Sequence, residues 1–587
     1  MSRNLEAPVR AVLSLAITLL AVPASAQKAA ASAELLRTDH EAGRPGGRLV
    51  YAVRSEPKTL NPVTAVDVTS REVIGRLHAD LIHIDRQTQR AGAALAKSWT
   101  VSPDGLHYTL ILRHGLRFSD GQPLDADDVV FTFRCYLDER NASPQRDLLV
   151  IGGKPIGVRK LDAFRVAFDL AQPYAAAERI FDSLAILPRR LLEKAQDEGR
   201  LGGAWGLSTA PSEMAGLGPF RLKSYVPGER LVLERNPYYW KVDSAGRPLP
   251  YLDELVFLLV PSDDAQVVRF KAGETDVISR LSAPNFAVLS AEASKARRLQ
   301  DLGAGLDYTF LFFNLNDLDA AKLPEVARKQ AWFKQTAFRQ AMSAAIDRAG
   351  MVRLVYQGRA TPLAAHVTPG NRLWLNTALP RPQRSLARAR ELLGRAGFVV
   401  ERGELRDAMG TPVTFTIVTN AANAARVQMA TVIQEDLREI GIQAQVVPLE
   451  NRALLDRVLK THDYDAAVMA VAGGDADPNG EMNVWLSSGP THLWRVGAAA
   501  PMAPWEKEID DLMQRQLVTL DGPARKRLYD RVQQLVAENL PMIPLVSPNV
   551  LVGAKAGLGN YRPAILDPQV LWNVDELFWR KEAAPRP

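Results

Sequence analysis

The stretch from Val413 to Val471 constrains the fold more than any other part of the chain. Val413-Thr414-Phe415-Thr416-Ile417-Val418 alternates at strand period. Asn423 to Ile440 then carries Met429, Ala430, Ile433, Leu437 and Ile440 at helical spacing, and Gly441 stands where helices commonly end. Ile442 to Val447 resumes as a strand, Arg452 to Lys460 as a helix, and Tyr464 to Val471 as an apolar strand. A β-α-β-α-β series buries a sheet under helices, so this half of the chain is expected to hold an α/β unit. Upstream of it, Phe338, Ala341, Met342, Ala345 and Ile346 mark one face of another helix.

The first half reads differently. Leu49-Val50-Tyr51-Ala52-Val53 is the first strand, and order is expected to begin near Arg48, after an Ala-, Gly- and charge-rich leader. Ser102-Pro103-Asp104-Gly105 is a turn, followed by a half-buried strand from Leu106 to Leu112. Asp125 to Asp138 reads as a helix with an acidic start. Ahead of all this, Arg3 and Arg10 give a positive start to an uncharged run from Ala11 to Val22, Pro23 breaks it, and Ala24-Ser25-Ala26 supplies small residues for a signal peptidase. This is a secretory signal peptide with cleavage before Gln27. A spanning helix needs roughly 20 apolar residues, and the well-formed cleavage site disfavours an uncleaved anchor.

The 587 residues are too many for one core and imply several lobes. A formal charge of +6 is mild at this length, and the Lys and Arg are scattered, so nucleic acid is not an expected partner. Cys135 is the one cysteine; it excludes an internal disulfide and a thiolate metal cluster, and sits in an apolar run as a packing residue.

Several segments carry a resemblance. Ser55-Glu56-Pro57-Lys58-Thr59-Leu60-Asn61-Pro62 follows the first strand, and Phe118-Ser119-Asp120-Gly121-Gln122-Pro123-Leu124-Asp125-Ala126-Asp127-Asp128-Val129 is the most distinctive. Gly218-Pro219-Phe220 leads through Tyr225-Val226-Pro227-Gly228-Glu229 to Arg235-Asn236-Pro237-Tyr238-Tyr239-Trp240. Gly273-Glu274-Thr275-Asp276-Val277, Arg339-Gln340-Ala341 with Ala345-Ile346-Asp347-Arg348, and Asp463-Tyr464-Asp465 complete the series. In order and number these resemble the extracellular solute-binding proteins of family 5, the dipeptide, oligopeptide and nickel class that serves ABC importers. The resemblance implies an α/β, two-lobed periplasmic binding protein-like fold with an extra domain on the first lobe. The expected division is a signal peptide over 1–26, a flexible leader over 27–47, and a discontinuous lobe I from 48–75, 206–309 and 546–587. The extra domain is expected over 76–205 and lobe II over 310–545, with crossings near Tyr308 to Asn316 and Leu540 to Val552.

The resemblance also points to a ligand loop, Val468 to Pro478. In peptide-binding relatives it carries a Trp and, three residues on, an Asp that grips the peptide's α-ammonium. Anchored on Asp477-Pro478, these positions fall on Val471 and Gly474, with Asp475 one residue off. Either the loop is retuned for another ligand or the alignment is shifted by one residue. Asp475-x-Asp477-x-Asn479-Gly480 opens like a calcium loop, but its twelfth position is Leu486 and Pro478 interrupts it, so no metal is expected. Trp485 and Trp494 are candidates for a cleft wall, while Trp505 is expected to pack the helix from Glu506 to Leu517. Arg372 and Trp374 lie in a loop that could face the cleft, where Arg could hold a carboxylate. Glu56 and Asn61, just beyond a strand end, are weaker candidates; His366, His462 and His492 lack metal-ligand spacing.

The sequence has no Gly-x-Ser-x-Gly elbow, His-Glu-x-x-His pair, phosphate loop or dinucleotide fingerprint, which disfavours a secreted hydrolase. The expectation is a monomeric periplasmic receptor without cofactor that closes on a solute and docks on a membrane permease, with ATP hydrolysed on other subunits. A peptide is the first solute class, an oligosaccharide the second, with nickel chelates and opines further out.

Overall fold

The computed structural model describes residues 34–182, 184–292, 294–473 and 476–580. The signal peptide, the first part of the leader, Gly474, Asp475 and the 581–587 tail lie outside the described residues.

Two sheets organise the chain. The first runs Phe220–Val226, Arg230–Arg235, Glu254–Leu259, Arg48–Val53, Val277–Ile278, Val546–Lys555 and Arg297–Ala304, and Ala360–Pro362 adds to Val546–Lys555. The second runs Gln443–Leu449, Thr414–Asn420, Ala466–Val471, Tyr308–Phe313 and Met542–Pro544. Helix Ala424–Arg438 makes the connection between Thr414–Asn420 and Gln443–Leu449, which pair in parallel as a helical crossover requires. Met429, Ala430, Ile433 and Leu437 form its buried stripe.

The sheets are joined by a two-stranded ribbon. Arg297–Ala304 pairs antiparallel with Val546–Lys555 in the first sheet, and Tyr308–Phe313 pairs antiparallel with Met542–Pro544 in the second. Pairing continues through the change of sheet: Gly305 N donates to Pro548 O at 3.1 Å, and Leu545 N to Thr309 O at 2.9 Å. The first crossing is therefore Gly305 to Asp307, ahead of the expected Tyr308 to Asn316. All six residues of Tyr308–Phe313 are buried, and so apolar a run belongs inside a sheet rather than in a linker. The second crossing narrows to Leu545.

A four-stranded antiparallel sheet, Ala96–Val101, His107–Leu112, Arg165–Asp169 and Gly157–Asp162, forms the separate domain between two segments of the first lobe. Helix Ala126–Leu137 packs on it, capped by Asp125, whose carboxylate accepts from Asp127 N at 2.8 Å while Asp128 reaches back to Asp125 N at 3.1 Å. Helix Val68–Leu77 runs continuously across the expected 75/76 boundary. The leader also departs from expectation over 34–47. Leu36–Arg37 pairs with Lys241–Val242, Glu34 binds Lys97 at 2.7 Å, and Gly43 lies against Phe578 and Tyr251. Its polar composition suggested a free tail, yet these contacts fix it to the body.

The motifs that carried the family resemblance hold the fold together. Arg339 donates to the carbonyls of Phe333, Asn539 and Leu540, and Arg348 to those of Pro544 and Ser343. Asp276 accepts from Val50 N at 2.6 Å and pairs with Lys555 at 2.5 Å, stapling the first strand to the last long one. Asp465 takes Thr416 N and Lys329.

Gly370 lies against the ribbon, where a Cβ would sit 2.4 Å from Ala304 O and 2.6 Å from Gly305 O. Gly370→Ala is expected to lower stability by about 1–3 kcal/mol through overpacking. A chemical denaturation midpoint equal to that of the parent would contradict this close approach.

Candidate functional site

A cavity of about 1340 Å³ borders the ribbon. Helix Val68–Leu77 and the residues after it form one wall, Gly305 to Asp307 and Pro548 to Leu551 a second, and the segment from Arg562 to Glu576 a third; Ala472 and Gly473 close the edge from lobe II. Small-molecule sites measure roughly 300–1,000 Å³, so this space can take an extended solute.

The walls are charged, and most charges are matched within the protein. Asp575 accepts from Tyr239 Oη at 3.0 Å and lies 3.1 Å from Lys241 Nζ. Burial alone would raise the Asp575 carboxyl, but the Lys241 ammonium outweighs it and holds the group below the usual carboxylate range. Arg280 pairs with Asp567 at 2.7 Å, and Arg562 pairs with Glu576. His83 Nδ1 lies 3.2 Å from Asp80 and 3.4 Å from Asp182, and Arg86 lies 3.3 Å from Asp182. The donor atoms of Asp80, His83 and Asp182 converge within 4.8 Å, but Arg86 already supplies positive charge to them.

Two wall residues are less well served. Arg76, 6 % exposed, donates Nη1 to Leu571 O, while its Nε has no partner. His78, 5 % exposed, stacks on Trp205 with ring centroids 5.4 Å apart and has no partner at either nitrogen. Burial pushes its imidazole down to about 4, so it is neutral. Neither residue was singled out from sequence. A trace was there: Glu72 and Arg76 stand one turn apart on a helix that also carries Val73 and Leu77 into the core.

The strand end at Val471 to Gly473 lies against the hinge. Gly473 N donates to Asp307 Oδ1 at 2.8 Å, and a Cβ on Gly473 would fall 2.3 Å from Leu306 Cβ. Glycine here is therefore a packing requirement. Val471 itself pairs with Tyr308 in the sheet and does not line the cavity. Asp307, which the sequence reading did not name, lines it at the crossing.

Other expected site residues are occupied elsewhere. Asp477 is buried and bound bidentately by Arg525, Nη1 to Oδ2 at 2.7 Å and Nη2 to Oδ1 at 2.6 Å, with Arg179 Nε 3.5 Å from Oδ2. Trp485 and Trp494 are not cleft walls. Both are fully buried in the lobe II core with centroids 5.7 Å apart, because Glu481 draws in Trp485 Nε1 at 2.8 Å. Trp374 is buried beneath the Arg525 guanidinium, 4.8 Å from its centroid, and Arg372 is exposed outside the cavity lining. Glu56 spends its carboxylate on Tyr225 Oη and Gly228 N. Asn61, likewise buried, brackets a turn by donating to Leu201 O at 2.7 Å and accepting from Val63 N at 3.0 Å. Trp505 packs against the lobe II core at the start of helix Pro504–Val518. Gly474 and Asp475 lie outside the described residues.

Two lobes joined by a double crossing, with a large cavity bearing charged side chains beside it, define a two-lobed solute receptor of the periplasmic binding protein type. Comparison with known proteins agrees. The family model for the middle region of bacterial extracellular solute-binding proteins, family 5, matches residues 91–492. The chain belongs to that family. A probable ABC transporter-binding protein of Deinococcus radiodurans is 28% identical over 527 residues, covering 84% of this chain and 85% of the relative. The oligopeptide-binding protein AppA of Bacillus subtilis is 26% identical over 537 residues, covering 89% and 90%. Among solved structures, the ABC transporter substrate-binding protein CtaP of Listeria monocytogenes superposes with a TM-score of 0.74 at 23% identity, covering 91% of this chain and 100% of that one. NikA of Brucella suis, solved with Fe(III)-EDTA, gives 0.75 at 21% identity over the same shares.

Two outcomes follow for stability. Arg525→Met removes the bidentate partner of the buried Asp477 carboxylate and is expected to cost about 3–5 kcal/mol, with much of the loss recovered in Arg525→Met/Asp477→Asn; denaturation of the two variants checks this. His366 is fully buried, and burial depresses its imidazole to about 3. Unfolded histidine titrates near 6.5, so between those values the unfolded chain binds a proton that the native chain does not. Stability is complete above pH 6.5 and falls on acidification, by about 1.4 kcal/mol per pH unit for this group. His366→Gln is expected to flatten the slope between pH 6.5 and 4; an unchanged slope would refute this contribution.

Proposed function

We propose that this protein is an exported receptor of an ABC importer that captures a peptide-like solute in the cavity beside the ribbon. The cleavable leader over 1–26 directs it to the periplasm, and the loaded form docks on a membrane permease whose partner subunits hydrolyse ATP. It acts by binding, without turnover. The observation that carries this reading is the cavity itself, 1340 Å³ of charge-lined space at the junction of two lobes. Relatives named for oligopeptides and dipeptides support the solute class. An oligosaccharide is the second solute class, on the aromatic residues and the missing ammonium anchor; of these, Trp485 and Trp494 lie inside lobe II. With glycine at 474, the carboxylate set against the ligand loop is Asp307, held by Gly473 N.

Native mass spectrometry of protein purified without denaturation is expected to show a retained peptide-mass adduct. Trp240 and Trp572 line the cavity, so loading should change tryptophan fluorescence, and Trp572→Phe should diminish the change. Release of cleaved product at catalytic rates would overturn the receptor reading.

A further inference from the structure

We infer that Arg76 is the point at which the cavity receives a carboxylate of the solute. This rests on the cavity being the solute site. Arg76 projects from the last turn of helix Val68–Leu77 into the cavity wall. A guanidinium carries five N–H donors. Here one acceptor is recorded, the neutral carbonyl of Leu571. Nε is enclosed without a partner, Nη2 makes no hydrogen bond to the described residues, and none of their carboxylates comes within 4 Å. Burying a cation in this condition is unfavourable by several kcal/mol unless an anion completes it.

The neighbouring cations differ. Lys241, Arg280, Arg86 and Arg562 each face a carboxylate, and Arg76 is more buried than any of them. Two residues further along the chain, on the same wall, His78 offers a neutral ring with both nitrogens unpartnered. Arg76 is offset only at a distance, by Glu72 and Asp575; a buried planar fork with no carboxylate in contact matches a monoanion, and a carboxylate fits that fork geometry. A dianionic phosphate would need a second free cation among these neighbours, each of which is already matched.

The test offers the intact protein a tryptic digest of serum albumin, and the same digest with its carboxyl groups converted to methyl esters. Retained species are read by native mass spectrometry. The parent protein is expected to retain the free-acid digest at least about tenfold better than the ester, the scale for losing a desolvated charge pair. Arg76→Gln should retain both equally, and Arg76→Lys should restore part of the preference. Circular dichroism establishes that the variants fold; if Arg76→Gln does not, the acid-to-ester ratio of the parent decides. Equal retention of acid and ester by the parent overturns the Arg76 assignment and leaves the peptide reading standing. Retention of neither overturns both.

Discussion

The hydrogen-bonded ribbon between the sheets governs everything else in the molecule. A chain that crossed once could twist freely, but two adjacent strands that stay paired while changing sheets leave mainly a hinge. Ala360–Pro362 adds a third strand at that point, pairing with Val546 to Pro548. Relative motion of the lobes therefore concentrates at Gly305 to Asp307 and Leu545. Gly305 O accepts from Thr368 Oγ1 at 2.5 Å and from Ser547 Oγ at 3.3 Å, so the Thr368 loop of lobe II rests directly on the hinge beside the ribbon. Gly305, Leu306 and Asp307 also line the cavity. Hinge and wall are the same residues, and lobe motion cannot leave the cavity unchanged.

Away from the hinge, the small antiparallel domain reaches across to lobe II. Ala175 N donates to Leu517 O at 2.8 Å, Gln89 Nε2 donates to Gly370 O at 2.9 Å, Tyr174 meets Asn479, and Arg179 meets Asp477. Leu517 adds apolar contact with the core of the first lobe, and Leu520 lies over Gly105. Each net hydrogen bond among these contacts contributes about 0.5–1.5 kcal/mol. A solute touching both sides contributes on the same scale, which is what makes closure respond to loading.

The architecture was legible because periodicity and turn chemistry are local. Met429, Ala430, Ile433 and Leu437 announced a helix and Gly441 its end; a cap at Asp125 or Asp127 was open, and Asp125 takes it. The site was less legible because its chemistry depends on pairing across long separations. Asp477 reads as part of a ligand loop until Arg525, 48 residues on, is brought beside it. Trp485 and Trp494 read as cleft aromatics until Glu481 and the lobe II core enclose them. Tyr239 reads as an anchor for a strand, yet its hydroxyl joins Asp575, 336 residues away, in a cavity wall. Burial of a polar side chain is a tertiary fact, and a single sequence carries little trace of it.

The same reasoning explains why the cavity wall holds an incompletely bonded cation at all. The desolvation cost of Arg76 is incurred on folding and is partly offset by Glu72 one turn back and by Asp575 at longer range. An anion entering later does not meet that cost again, and it finds donors already oriented by the Leu571 carbonyl and the helix. Preorganisation of this kind converts folding energy into affinity. It also discriminates, because a neutral group in the same place leaves the cation as poorly solvated as before, whereas a carboxylate relieves it. The matched pairs around it, Lys241 with Asp575 and Arg280 with Asp567, have no such deficit and gain little from a charged solute. Among the wall cations withdrawn from solvent, Arg76 is therefore the one at which a carboxylate gains most.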